Sequence, residues 1–157
     1  MKKGFIGYIV ALVCIVAGLL LGFAPIGAFE DGSTVSMFAS INYGGLGRIC
    51  SANLITLIFI GVAFLIVVCA PFMKQSGLKV FLLVLGGLLL LTAGSMYGCA
   101  LVLFRYHGPV GIGSITTLLT DYTQWGAILA CIIVIIGGFV VAGLGLGQIQ
   151  RKAESAY

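Results

Sequence analysis

Charge is the property that this sequence has least of. Only 8% of its 157 residues are charged and 61% are hydrophobic, whereas a soluble domain of this length carries about a quarter charged residues. The aliphatic surface exceeds what a soluble core of this size could bury. The composition therefore excludes an ordinary soluble domain, and we expect a single integral membrane domain spanning residues 1–157.

Residues for catalysis and metal binding are also scarce. His107 is the only histidine, and it lies beside Arg105 and Pro109, where we expect it at the surface or ordering a loop. No Cys-x-x-Cys pair indicates a metal site, and the glycines of residues 108–113 lack the setting of a phosphate-binding loop. We therefore expect no enzymatic activity, no catalytic residues, no cofactor and no metal.

In place of these groups, the sequence has four long apolar runs. Each reaches the 20 or so helical residues needed to cross roughly 30 Å of hydrocarbon, and a helix satisfies its own backbone hydrogen bonds there. We predict an all-α membrane protein, a four-transmembrane-helix bundle. The predicted helices cover about residues 4–23, 52–73, 78–104 and 125–147. The first run resembles a secretory signal but is longer than a usual signal core, so we expect it to be retained.

Basic residues are unevenly divided between the two sides of these helices. Arg48 and Arg105 lie on one side, and six lie on the other. The six are Lys2, Lys3, Lys74, Lys79, Arg151 and Lys152. Because Lys and Arg near helix ends stay cytoplasmic, we predict cytoplasmic termini, outer loops at residues 24–51 and 105–124, and a location in the plasma (cytoplasmic) membrane.

The long outer loop contains a pattern that favours a β-strand. From Thr34 to Tyr43, apolar residues occupy every second position, with Phe38 as the exception in the intervening set. An isolated strand is unstable in water, so this one needs a partner. We predict a small extracytoplasmic β element over the helix ends, with an irregular packed loop as the alternative.

Charged and aromatic residues of the outer loops form a candidate contact surface. Arg48 lies in the stretch "YGGLGRIC", residues 43–50, where it can reach headgroups or pair with a loop acid. The candidate contact residues are Glu30, Asp31, Tyr43, Arg48, Arg105 and Asp121.

Five cysteines divide into two groups. Cys14, Cys69 and Cys131 lie within apolar runs, where cysteine is usually a small hydrophobe. Cys50 and Cys99 lie near the outer boundary. They can form a disulfide across a helix interface in an oxidising compartment, and two free thiols are the alternative.

Glycine is abundant, and in three predicted helices two glycines are four residues apart. The pairs are Gly18 and Gly22, Gly94 and Gly98, and Gly143 and Gly147. Such spacing lets helix backbones approach closely in lipid, although glycine is also common in membrane helices without this role. We predict tight helix contacts at these six positions, within the chain or between chains.

The order of these features carries a family resemblance. A long outer loop with strand character, a Gly-Leu pair before an arginine and a cysteine, the short inner turn "MKQSG" and the later runs "GGLLLLTAGSMYGCALVLFRYHGPV" and "WGAILACIIVIIGGFVVAG" resemble the claudin and peripheral myelin protein group of tetraspan proteins. Gly45 and Leu46 match the signature of that group. Gly47 replaces its tryptophan, and Cys50 is the only cysteine of the loop, so the group's intraloop disulfide cannot form here.

Two functions are compatible with the sequence. The first is a non-enzymatic tetraspan that self-assembles or acts as a structural or accessory subunit of a larger membrane complex. Its partners would be membrane lipids, itself or other membrane protein subunits, and no nucleic acid. The alternative is a small oligomeric channel. The absence of charge deep within the spans favours the first, while a polar stripe, for which only Thr56, Thr92 and Ser95 are candidates, would favour the second.

Overall fold

The computed structural model describes residues 3–28, 34–38, 47–74, 76–106 and 125–154. Four long helices dominate this part of the chain. They are α1 (Lys3–Leu20), α2 (Gly47–Cys69), α3 (Ser76–Tyr106) and α4 (Trp125–Glu154). Two 3-10 turns, Leu21–Phe23 and Ala70–Phe72, continue α1 and α2. All four helices are long enough and apolar enough to cross a membrane, which confirms the predicted four-helix architecture.

Two helix boundaries differ from the prediction by five residues or more. The α2 helix begins at Gly47, so Gly47 to Cys50 form its first turn and are not part of a loop. The α4 helix continues to Glu154, seven residues beyond the predicted end. Both additions are more polar than the apolar runs, and hydrophobicity alone therefore misses them. The extension of α4 contains Gln, Arg, Lys and Glu, which are good helix formers.

Helices that follow one another in sequence pack together, and α4 also packs against α1. The α3–α4 interface is the most extensive, followed by α2–α3, α1–α4 and α1–α2. Tyr8 of α1 lies near Gln148 of α4 at one end of the bundle, and Gly18 lies against Val134 further along, so α1 and α4 are antiparallel. The start of α1 and the end of α4 therefore lie at the same end of the bundle.

The two ends of the bundle differ in charge. One end, called the basic end below, contains the start of α1, the α2–α3 turn and the end of α4, and with them the positions of Lys3, Lys74, Lys79, Arg151 and Lys152. The opposite end, called the strand end, contains the start of α2 and the end of α3, where Arg48 and Arg105 lie. The uneven division of basic residues predicted from the sequence is thus a feature of the fold.

Aliphatic side chains fill the bundle and also cover its outside. Ile15, Ile60, Leu90 and Val134, one from each helix, are fully buried. Only 22% to 39% of each membrane-length span is buried in the bundle, and large side chains such as Phe139 point outward. Such a surface would be costly in water and matches a hydrocarbon surround.

Two short strands cover the strand end. They are β1 (Pro25–Ala28) and β2 (Thr34–Ser36), which pair antiparallel with an irregularity between Pro25 and Gly27. The start of α4 lies very close to β1. A Cβ atom built onto Gly126 would lie 2.5 Å from the carbonyl oxygen of Pro25. Glycine at the start of α4 permits this contact.

The predicted strand over Thr34–Tyr43 is wrong beyond Ser36. Met37 and Phe38 are helical. Met37 is fully buried, and the Phe38 ring stacks at 4.3 Å between centroids on Phe23. A strand would point these consecutive side chains to opposite faces, whereas a helical turn directs both toward the bundle. Residues 39–43 of the predicted strand lie outside the described part.

Candidate functional site

The closest helix contact in the bundle is the seam between α3 and α4. A Cβ atom built onto Gly87 would lie 2.7 Å from the backbone nitrogen of Ala142, and one built onto Gly94 would lie 3.1 Å from that of Ile135. Both distances are shorter than ordinary carbon contacts. The absence of side chains at these two positions therefore sets how closely the helices approach.

The α4 side of this seam has matching glycines. Gly138 faces the Gly87 carbonyl oxygen at 3.0 Å, and Gly145 faces that of Val80 at 3.2 Å, in each case measured from an added Cβ. Each helix therefore places its two seam glycines seven residues apart, a spacing that keeps them on one face of a slightly wound helix pair. Of these four seam glycines, only Gly94 belongs to the predicted pairs of glycines that are four residues apart.

Three of the six predicted packing glycines lie in tight contacts within the chain. Gly94 is in the seam described above. Gly18 lies against Val134 of α4, with 2.5 Å from an added Cβ to Cγ2, and Gly22 lies under the Phe38 ring at 2.7 Å. The close contacts at these three positions lie inside the bundle.

The other predicted glycines behave differently. An added Cβ at Gly98 would make an ordinary 3.6 Å contact with the sulfur of Cys131. At Gly143 and Gly147, nothing lies within 4 Å of an added Cβ, and Gly143 is exposed. This pair on the outer face of α4 has no packing role among the described residues.

Tyr97 of α3 is the largest fully buried side chain among the described residues. Its hydroxyl donates a hydrogen bond of 3.1 Å to the carbonyl oxygen of Gly18 in α1. Buried tyrosine hydroxyls usually have such a partner. The sequence analysis missed Tyr97, although a lone tyrosine in the apolar run of α3 is a detectable signal of a buried polar contact.

Polar side chains of the spans do not line a common path. Asn53 and Thr56 lie one turn apart in α2 and are buried. Thr92 and Ser95 of α3 are exposed, and their hydroxyls donate to carbonyl oxygens four residues earlier in the same helix, at 2.9 Å each. Buried Thr56 therefore lies on a different surface from the exposed Thr92 and Ser95. Asn53 was missed because it borders the predicted helix start.

At the basic end, one side chain from each of three helices meets its neighbours. The Lys79 ammonium of α3 lies 5.8 Å from the ring centroid of Tyr8 in α1, within the range of a cation–π contact. The amide nitrogen of Gln148 in α4 donates a 3.4 Å hydrogen bond to the Tyr8 hydroxyl. All three side chains are half-buried, so this group, the Tyr8 cluster, is a polar site open to the surroundings.

For most of the predicted outer-loop residues, the structure describes no side chain. Glu30, Asp31, Tyr43, His107 and Asp121 lie outside the described residues. Four others are placed only by their helix backbone, and their side chains are not described. They are Arg48 and Cys50 in the first turn of α2, and Cys99 and Arg105 near the end of α3.

The pairing of Cys50 with Cys99 stays a prediction. Cys14 lies against Gly137 of the neighbouring helix, with 3.0 Å between its Cβ and one added to the glycine, and neither Cys14 nor Cys69 is in a disulfide. Within the part of the chain that is described, no group of three His, Cys, Asp or Glu side chains could hold a metal ion.

Comparison of the chain with protein families, with curated proteins and with solved structures gives no match.

Proposed function

We propose that this chain is a non-enzymatic integral membrane tetraspan that associates with a second copy of itself or with another membrane subunit. The observation that carries the proposal is the contrast within α4 between glycines that face α3 and glycines that face outward. Gly138 and Gly145 fit against α3 at contact distance, whereas an added Cβ at Gly143 or Gly147 meets no described residue within 4 Å.

The outward pair lowers the intrinsic stability of α4 without a packing gain among the described residues. Glycine in a helix interior costs about 1 kcal/mol relative to alanine. In lipid, small residues spaced by four let the backbone of another helix approach closely, and van der Waals contact then drives association. A neighbouring helix over Gly143 and Gly147 would supply that contact.

A channel is the alternative, and it would need several copies. Fully buried aliphatic side chains such as Ile60, Leu83 and Leu90 occupy the interior of the described bundle. Ions need polar or charged groups along a pore, and the Thr92 and Ser95 hydroxyls are bonded within their own helix on its outer face. These features favour the accessory or self-assembling role.

The membrane orientation follows from the charge difference between the two ends. Under this proposal the basic end faces the cytoplasm, the strand end with β1 and β2 is extracytoplasmic, and the location is the plasma (cytoplasmic) membrane. Kinship with the claudin and peripheral myelin protein group belongs to the same proposal, supported by the four-helix architecture and by Gly45 and Leu46.

Native gels and chemical cross-linking of detergent-extracted protein test the association. Replacing Gly143 and Gly147 together by Leu should shift the protein from complex to monomer, because the leucines would occupy the space of the neighbouring backbone. Gly61→Leu is the control, since an added Cβ at Gly61 of α2 also meets nothing within 4 Å. A wild type that is already monomeric and recovers no partner contradicts the proposal, as does an unchanged complex in the double variant. Ion conduction by purified protein in bilayers would favour the channel.

A further inference from the structure

The Tyr8 cluster at the basic end is not explained by helix association. Its three side chains come from α1, α3 and α4, while the outward glycines lie on α4 alone. The Lys79 ammonium lies over the Tyr8 ring, and the Gln148 amide donates to the Tyr8 hydroxyl. Lys79 is half-buried, so part of its side chain remains accessible.

Two close helix contacts place this cluster. Gly7, next to Tyr8, brings α1 against α4, where an added Cβ would lie 2.6 Å from a methyl of Leu144. Gly145 brings α4 against α3, where the corresponding distance to the carbonyl oxygen of Val80, next to Lys79, is 3.2 Å. The cluster is therefore flanked by two close contacts, a leucine side chain packed on Gly7 and the backbone of Val80 packed on Gly145.

The charge around the cluster is strongly positive. Six basic residues belong to this side of the helices, against one acidic residue, Glu154. Lys79 itself lies in the first turn of α3, which has no acidic residue. A helix N-terminus favours anions and disfavours cations, so an anion beside Lys79 would satisfy both the lysine and the helix end.

We propose that the Tyr8 cluster binds the phosphate of an anionic phospholipid headgroup. The Lys79 ammonium donates to a phosphate oxygen, the Gln148 amide supplies a second donor, and the Tyr8 ring holds the lysine in place. The proposal rests on the membrane location proposed above, and it does not depend on association between chains.

A lipid fits the site better than free phosphate because apolar surface adjoins the cluster. Phe5, one turn before Tyr8 in α1, and Leu78, next to Lys79 in α3, are both exposed. Acyl chains below a bound headgroup would cover such side chains, whereas inorganic phosphate would leave them uncovered. Basic sites between helices at the cytoplasmic side are a known setting for anionic headgroups.

Native mass spectrometry of the detergent-purified monomer tests this site, with phosphatidylglycerol and phosphatidylcholine as probes. The wild type should retain phosphatidylglycerol preferentially. Lys79→Gln should weaken that binding about fivefold, the effect of one cation near an anionic lipid surface. It should weaken phosphatidylcholine binding less, because the choline cation offsets the charge of that phosphate. Lys79→Arg should keep the preference, which separates loss of charge from loss of folding.

Lys74→Gln is the matched control, because Lys74 is an exposed lysine at the same end. It should reduce phosphatidylglycerol binding less than twofold. Equal effects of the two glutamine variants would overturn the proposal in favour of general electrostatic attraction. No lipid preference in the wild type would overturn it, and displacement of the lipid by inorganic phosphate would assign the site to the free anion. Each result is read on the monomer, so none depends on the association experiment.

Discussion

The Tyr97 hydroxyl of α3 donates a hydrogen bond to the Gly18 carbonyl oxygen of α1, across the diagonal of the bundle. Gly18 is in the last turn of α1, just before the 3-10 turn Leu21–Phe23. The same glycine lies against Val134 of α4. Gly18 of α1 therefore contacts two other helices. Its carbonyl oxygen accepts the hydrogen bond from α3, and the absence of a side chain lets α4 approach closely.

We expect Tyr97→Phe to lower the free energy of unfolding by about 0.5 to 1 kcal/mol. The ring still fills its site, and only the bond to Gly18 is lost, which has a modest net value in membrane proteins. Unfolding of the detergent-solubilised protein by increasing SDS, followed by circular dichroism, measures the change. Thr92→Val is the control, because the Thr92 hydroxyl bonds within its own helix. A stability of Tyr97→Phe equal to that of the control would show that the Gly18 bond contributes nothing measurable.

Alanine at Gly87 should destabilise the bundle by about 1 to 3 kcal/mol, the usual cost of overpacking. Its Cβ would meet the backbone of Ala142 at 2.7 Å, and backbone atoms cannot move aside as a side-chain tip can. Gly61→Ala, where the added Cβ meets nothing, should instead be neutral or stabilising by up to about 1 kcal/mol. The two variants are compared by the same SDS unfolding. Equal stability of both would mean that the α3–α4 seam is wider than described.

The sequence predicts the four helices well because hydrocarbon thickness dictates their length. It predicts helix ends less well, since Gly47 to Cys50 and Gln148 to Glu154 continue helices past the apolar runs. Partner surfaces are harder still. Gly94 and Gly143 have the same four-residue spacing to a second glycine, yet one faces α4 and the other faces outward, because helix rotation depends on the whole set of neighbours.

Contacts between distant segments are the part that sequence spacing cannot supply. Tyr97 and Gly18 are 79 positions apart, and Tyr8 and Gln148 are 140 apart. The alternation from Thr34 to Tyr43 also predicts a longer strand than the three residues of β2. The reason is that alternation of apolar and polar residues carries no information about the burial of Met37 inside the bundle.

Cysteine labelling with a membrane-impermeant reagent tests the proposed orientation. On a background without native cysteines, a probe at Ser33 or Gly111 should be modified in intact cells, and one at Ser76, where α3 begins, only after permeabilisation. The reason is the excess of basic residues at the end that contains Ser76. Labelling of Ser76 alone in intact cells would reverse the orientation.

Leucine at Gly22 should release the segment 34–38 from the bundle without unfolding the helices. An added Cβ at Gly22 would lie 2.7 Å from the edge of the Phe38 ring, so the ring must leave and its stacking on Phe23 is lost. Because a ring edge moves more easily than a helix backbone, the displacement should fall on this segment. Hydrogen exchange followed by mass spectrometry should show faster exchange in 34–38 and unchanged exchange in α1 and α4. Gly61→Leu should alter neither region. Uniformly faster exchange of all helices in the Gly22 variant would mean that Gly22 supports the bundle itself, and no change at all would mean that the Phe38 contact is not formed.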